Sequence, residues 1–147
     1  MKRKIMRSCL GVVLVCITAS SWAGSPGSPS LLSMWDCIVQ DMPVTDQAFQ
    51  AHFFRCPSPI AQPAIMVLGG SKGGITWAAY TSELLARHGF ATLAVPYFKM
   101  PGLPPQLEEI PLEYFVTALR WLQAHPAVDA QRIGIVGASK GGNWPYC

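Results

Sequence analysis

The sequence has no histidine beyond His125 and no acidic residue beyond Asp129, and it shows no internal duplication of domain size. The first two absences deny a late nucleophile any later acid or base. Basic surface is also scarce once the N-terminus is set aside. Lys2, Arg3, Lys4 and Arg7 precede the apolar stretch from Cys9 to Ile17, and Ser20-Ser21-Trp22-Ala23-Gly24 supplies small residues for cleavage near Ala23. The pattern reads as a secretory signal over residues 1–23, so an exported, periplasmic or secreted protein is expected. The stretch is short for a bilayer span, and an uncleaved membrane anchor is the alternative. Bulky Val15 before Cys16 speaks against a lipoprotein. Of the 11 Lys+Arg, four leave with the signal; the seven that remain face eight Asp+Glu, so the formal charge of +3 becomes −1. Nucleic-acid binding loses its support.

Cys9 and Cys16 also leave with the signal. Cys37 and Cys56 remain close in sequence, and an oxidising compartment would let them pair between two neighbouring strands, leaving Cys147 over. Two reduced buried thiols are the other reading.

Residues 24–30, Gly-Ser-Pro-Gly-Ser-Pro-Ser, have the composition of a flexible linker, and an ordered domain is expected over 31–147. Short strands are expected at 34–40 and 48–55, with Pro43 and Asp46 marking a turn between them. Ala64–Leu68 is a continuous apolar run, as in a strand buried on both faces. A turn follows at Gly69-Gly70-Ser71-Lys72-Gly73-Gly74. Ile75 to His88 reads as a helix with Trp77, Tyr80, Leu84 and Leu85 on its buried face, ended by Gly89. Phe90–Val95 is a second buried strand. After a proline-rich loop, a second helix is expected over Leu112–His125. Its buried face would be Leu112, Phe115, Leu119 and Leu122, with Glu108, Glu109 and Glu113 near the positive end of its dipole and Pro126 as the stop. Arg132–Val136 is the third strand. Alternating strands and helices predict an α/β fold with a mostly parallel sheet covered by helices on both faces.

Two G-x-S-x-G patterns each follow a strand: Gly69-Gly70-Ser71-Lys72-Gly73 and Gly137-Ala138-Ser139-Lys140-Gly141. Such a turn presents a serine on a tight strand-to-helix bend, where small neighbours are needed. With Ser139 as the nucleophile the first loop gains a role, because this architecture draws one oxyanion donor from an early loop and one from the residue after the serine. The expected donors are the amides of Lys140 and of Gly70 or Ser71. A plain tight turn at 69–74 is the alternative there. Lys72 and Lys140 could meet an anionic substrate or simply be solvated. His52, expected to precede the sheet, and His88 and His125, at helix ends, read as ordinary surface or capping residues. The chemistry needs neither cofactor nor metal.

Five segments taken together closely resemble the C-terminal hydrolase domain of the acyl-CoA thioesterases and bile acid-CoA:amino acid N-acyltransferases, and more distantly dienelactone hydrolase. They are Pro63–Gly74, Leu85–Ala91, Pro96–Pro104, Ile110–Phe115 and Arg132–Gly142. The resemblance implies the N-terminal half of an α/β-hydrolase fold and cleavage of an acyl thioester or ester; a serine at 139 favours hydrolysis over transfer to an amino acid. It also implies an acid and a histidine after the elbow, so the chain by itself is expected to be inactive or nearly so, a catalytic fragment or a non-catalytic binding form of the same fold. Pro145 falls where the elbow helix should continue, so residues 143–147 are expected to depart from the family, as a frameshift or truncation would produce. The outer edge of the strand at 132–137, left uncovered, is expected to self-associate, and membrane contact is expected only through the signal segment.

Overall fold

The computed structural model describes residues 37–45 and 48–139. The expected signal segment, the linker, Asp46, Lys140, Pro145 and Cys147 lie outside the described residues.

Five strands form one sheet: β1 (Gln40–Val44), β2 (Ala51–Arg55), β3 (Gln62–Leu68), β4 (Ala91–Val95) and β5 (Val128–Gly137). Helix α1 (Thr76–Arg87) joins β3 to β4, and α2 (Leu112–Ala124) lies between β4 and β5. The spatial order is β1-β2-β4-β3-β5. Strands β3, β4 and β5 are parallel, whereas β2 runs antiparallel to both β1 and β4. The sheet is therefore mixed, with β2 alone reversed.

The apolar runs explain the centre. Every residue of β4 is buried, as expected of a strand with helices above and below. On the α2 side, Phe53, Met66 and Leu93 meet Phe115, Ala118 and Leu122 in a cluster that includes Phe49 and Tyr97. Trp121 closes it, its ring 5.5 Å from Phe53 and 6.3 Å from Phe49. On the other side Phe54, Val67 and Ala94 meet Ala78 and Ala86 of α1.

Four sequence expectations shift. Among the described residues the first strand is 40–44, with 37–39 of the expected 34–40 outside it, so Pro43 lies within the strand, opposite His52, instead of in a turn. Its missing N–H is tolerated because β1 is at the edge of the sheet among the described residues. His52 accordingly sits inside β2, not before the sheet, with Nδ1 2.8 Å from Asp41 Oδ1. The larger change is the face of α1. Ala78, Ser82 and Ala86 are the buried residues, while Trp77, Tyr80 and Leu84 are 44%, 71% and 45% exposed. Small side chains at i, i+4 and i+8 bring the helix backbone close enough for the buried Thr92 hydroxyl to lie 3.0 Å from the Ser82 carbonyl oxygen; a face led by Trp and Tyr would hold it away. In α2, Leu112 is likewise 46% exposed at the first turn, and Ala118 takes its place in the core.

Cys37, just before β1, is disulfide-bonded to Cys56, just after β2, with their Cα atoms 5.8 Å apart. The bond closes the open end of the β1–β2 hairpin.

The small-residue face of α1 predicts opposite responses on its two sides. Ala86→Leu should destabilise the fold by about 1–3 kcal/mol through overpacking. Tyr80→Ser should stay within about 0.5 kcal/mol of the parent. Urea denaturation of the two variants measures both.

His125 makes a second prediction. Its ring packs 4.3 Å from Phe53, and its Nδ1 accepts the Ala127 N–H at 3.2 Å, so the neutral ring is the folded form. Burial, with the charge of Arg55 added, lowers its pKa below the ordinary 6.5. On the acid side of that value the unfolded chain takes up protons first. The stability that the neutral ring contributes is therefore complete above 6.5 and is lost as pH falls through the folded pKa. The urea midpoint should fall over that limb, and His125→Gln should flatten it.

Candidate active site

At the carboxyl ends of the parallel strands, where open α/β sheets place their ligands, three segments converge. Leu68 is the last β3 residue and pairs with Gly137, the last of β5. The ladder runs one step further, with the Ala138 N–H donating to the Leu68 carbonyl at 3.2 Å. Both strands thus leave the sheet at the same level, and the two glycine-rich turns begin side by side.

Ser139 follows at once, exposed, with a φ of 53°. That is the left-handed region, which costs a serine about 1–3 kcal/mol and is the kind of strain found at functional sites. Its neighbour is Gly70. A Cβ on Gly70 would stand 2.9 Å from the Ala138 carbonyl oxygen and 3.2 Å from the Ser139 Cβ. Only a residue without a side chain lets the two backbones approach so closely. The sequence-predicted Ser139 and Gly70 are therefore brought together, with Ser71 next in the chain; Lys140 lies outside the described residues.

The loop at 69–74 is held at several points. The Gly73 N–H donates to the Gly70 carbonyl at 3.0 Å, and the Gly74 N–H to the Phe98 carbonyl at 3.0 Å. The Tyr97 hydroxyl, buried, donates to the Gly69 carbonyl at 2.6 Å. At Gly73, with φ 69°, a Cβ would meet Phe98 and Lys99 at 2.8–2.9 Å. Among the described residues, the carbonyls of 68, 69 and 70 each receive a hydrogen bond, while the amides of Gly70 and Ser71 donate none. Lys72 is exposed.

Tyr97 was not singled out from the sequence, although its place just past the end of β4 could have drawn attention to it. Tyr114 supports the same region: its hydroxyl donates to the Pro96 carbonyl at 2.7 Å and accepts the Gln50 N–H at 3.1 Å. Burial raises the pKa of both phenols above the ordinary 10.0, for Tyr114 against the opposing pull of the Gln50 hydrogen bond. Both therefore stay protonated and able to donate at neutral pH.

The histidines lie elsewhere. His88 and His125 cap the C-terminal ends of α1 and α2, at the opposite end of the sheet from Ser139. His52 faces Ala94 across the β2–β4 pair, with β4 and β3 between it and β5. Among the described residues there is no group of three or more His, Cys, Asp or Glu side chains that could hold a metal ion.

A sheet in this order with β2 reversed, carrying a G-x-S-x-G turn after β5 and a glycine loop after β3, is an α/β-hydrolase fold. It aligns with the Pyrobaculum calidifontis esterase over 76% of this chain and 40% of that one, with a TM-score of 0.57 at 21% identity, a likeness of fold alone. Residues 110–145 match the family described as BAAT / acyl-CoA thioester hydrolase C terminal. The chain is 41% identical over 103 residues to acyl-coenzyme A thioesterase 6 of Mus musculus, covering 70% of this chain and 24% of that protein. It is 32% identical over 147 residues to acyl-coenzyme A amino acid N-acyltransferase 1 of Mus musculus, covering 96% and 35%. These matches support the thioesterase and acyltransferase family, and the chain spans about a quarter to a third of the length of these two relatives.

The contact at Gly70 yields the site's own prediction. Gly70→Ala forces a Cβ against backbone, which cannot swing aside, so the variant should lose about 1–3 kcal/mol of stability. It should also move the amide resonances of residues 138 and 139 in a ¹H–¹⁵N spectrum. Gly89→Ala, where nothing lies within 4 Å of the new Cβ but φ is 86°, should leave those two resonances in place.

Proposed function

We propose that the chain carries the nucleophile and oxyanion half of an acyl thioester or ester hydrolase, with Ser139 attacking the acyl carbon. The amides of Gly70 or Ser71 and of Lys140 would receive the negative charge that develops on the acyl oxygen. The observation that carries this reading is the 3.2 Å separation between the Ser139 Cβ and the position a Gly70 Cβ would take. That approach sets an exposed serine in strained backbone beside a loop whose Gly70 and Ser71 amides have no partner among the described residues. The thioesterases among the relatives support a thioester leaving group, and serine at 139 favours water over an amino acid as the acyl acceptor.

General-base assistance contributes about 100- to 10,000-fold to such attack, and none of the three histidines reaches Ser139. Turnover by this chain alone is therefore near background. That same observation favours a second reading, a non-catalytic protein that holds an acyl or anionic ligand at the two glycine loops. Export is part of the proposal: a disulfide such as Cys37–Cys56 persists in oxidising compartments. So is a strand partner for β5. Its outer edge pairs with no strand among the described residues, and Ile135 is 51% exposed, so a second copy could add a strand there.

A fluorophosphonate probe tests the chemistry. The parent chain should label slowly at Ser139, and Ser139→Ala should lose that adduct. Labelling that persists in the variant, at Ser71 for instance, would overturn the assignment. Binding of an acyl thioester that is unaffected by Ser139→Ala, without any turnover, would favour the second reading.

A further inference from the structure

We propose that Tyr97 is a positioning residue for the oxyanion site, its hydroxyl fixing the peptide that carries the Gly70 N–H. The proposal rests on the reading of Ser139 as nucleophile, and it selects Gly70 over Ser71 as the donor that depends on a side chain.

The argument starts from the planarity of the peptide bond. In a trans peptide the carbonyl of one residue and the N–H of the next point in opposite directions within one plane. Holding the Gly69 oxygen therefore sets the direction of the Gly70 N–H. Tyr97 holds that oxygen at 2.6 Å from a buried position. Glycine at both 69 and 70 leaves this peptide, like the one between Gly73 and Gly74, free to rotate, so an external restraint matters there. The next peptide has its own: the Gly73 N–H binds the Gly70 carbonyl within the turn, fixing the Ser71 N–H without help from outside the loop.

Tyr97 is well placed to act as a fixed post. It follows β4, the strand buried throughout, and its ring packs 5.3 Å from Phe115 of α2 and 5.2 Å from Phe98. Phe98 in turn accepts the Gly74 N–H. Adjacent residues after β4 thus grip both ends of the loop after β3, one through a side chain and one through the backbone. Because burial raises the phenol pKa above 10.0, the O–H remains a donor wherever an esterase of this kind would work.

Tyr97→Phe removes the donor and keeps the ring, so the fold should survive; an unchanged far-ultraviolet circular dichroism spectrum would show this. Two readouts then apply to the intact chain. In isotope-labelled protein, the Gly69 carbonyl carbon should move upfield and the Gly70 N–H resonance should shift and broaden, while Ser71 moves less. In fluorophosphonate labelling of Ser139, where the serine oxygen bonds to phosphorus, fluoride leaves and the hydroxyl proton passes to water, the maximal rate should fall about 10- to 100-fold with little change in the half-saturating probe concentration. A change confined to the half-saturating concentration would mark a packing effect and overturn the proposal. So would Gly70 resonances that stay in place, or labelling by Tyr97→Phe at the parental rate. If the parent itself fails to label while Gly70 shifts in Tyr97→Phe, the tether to the peptide is upheld and it is the serine reading that falls.

Discussion

The parallel ladder between β3 and β5 sets the geometry on which everything at the site depends. Its hydrogen bonds continue to the Ala138 N–H and the Leu68 carbonyl, so two turns that are 70 residues apart in sequence leave the sheet at the same level. Neither turn could supply the site alone. A slip of one residue in this pairing would turn the alternate faces of β5 over, moving Ile133 away from the α2 side, where it packs, and displacing Ser139 from Gly70. Register and core packing therefore enforce each other, and the site inherits its precision from both.

Much of this was legible in the residues. Strands β3 and β4 announce themselves as unbroken apolar runs, which only a doubly covered sheet accommodates. Ser139 and the glycine loop could be paired because each follows a strand and the architecture unites such turns at one end of the sheet. The face of α1 was not legible for a specific reason. Positions 77, 80 and 84 and positions 78, 82 and 86 both satisfy helical periodicity, and hydrophobicity favours the first set. The deciding quantity is the distance between helix and sheet, which depends on Phe54, Val67 and Ala94 underneath. Pro43 misled in a similar way, since proline marks turns and edge strands alike. Tyr97 escaped because its role is a hydrogen bond to a residue 28 positions earlier, and no local pattern encodes that.

The components of the site divide by origin. The proposed oxyanion donors are backbone groups, and the strained φ of Ser139 is a backbone property; both come with the sheet, the register and the glycines. A general base is a side chain, and it can be present or absent without disturbing the sheet. His52, His88 and His125 illustrate the point, each engaged with its surroundings away from the elbow: His52 with Asp41, His88 with the Leu84 carbonyl and His125 with the Ala127 N–H. The strain at Ser139, about 1–3 kcal/mol, is held by the β3–β5 ladder and the Gly70 contact rather than by a base. Geometry at Ser139 and reactivity at Ser139 are therefore separate properties. The first is fixed by β3, β5 and Gly70. The second depends on a proton acceptor, and each of the three histidines is engaged away from the elbow.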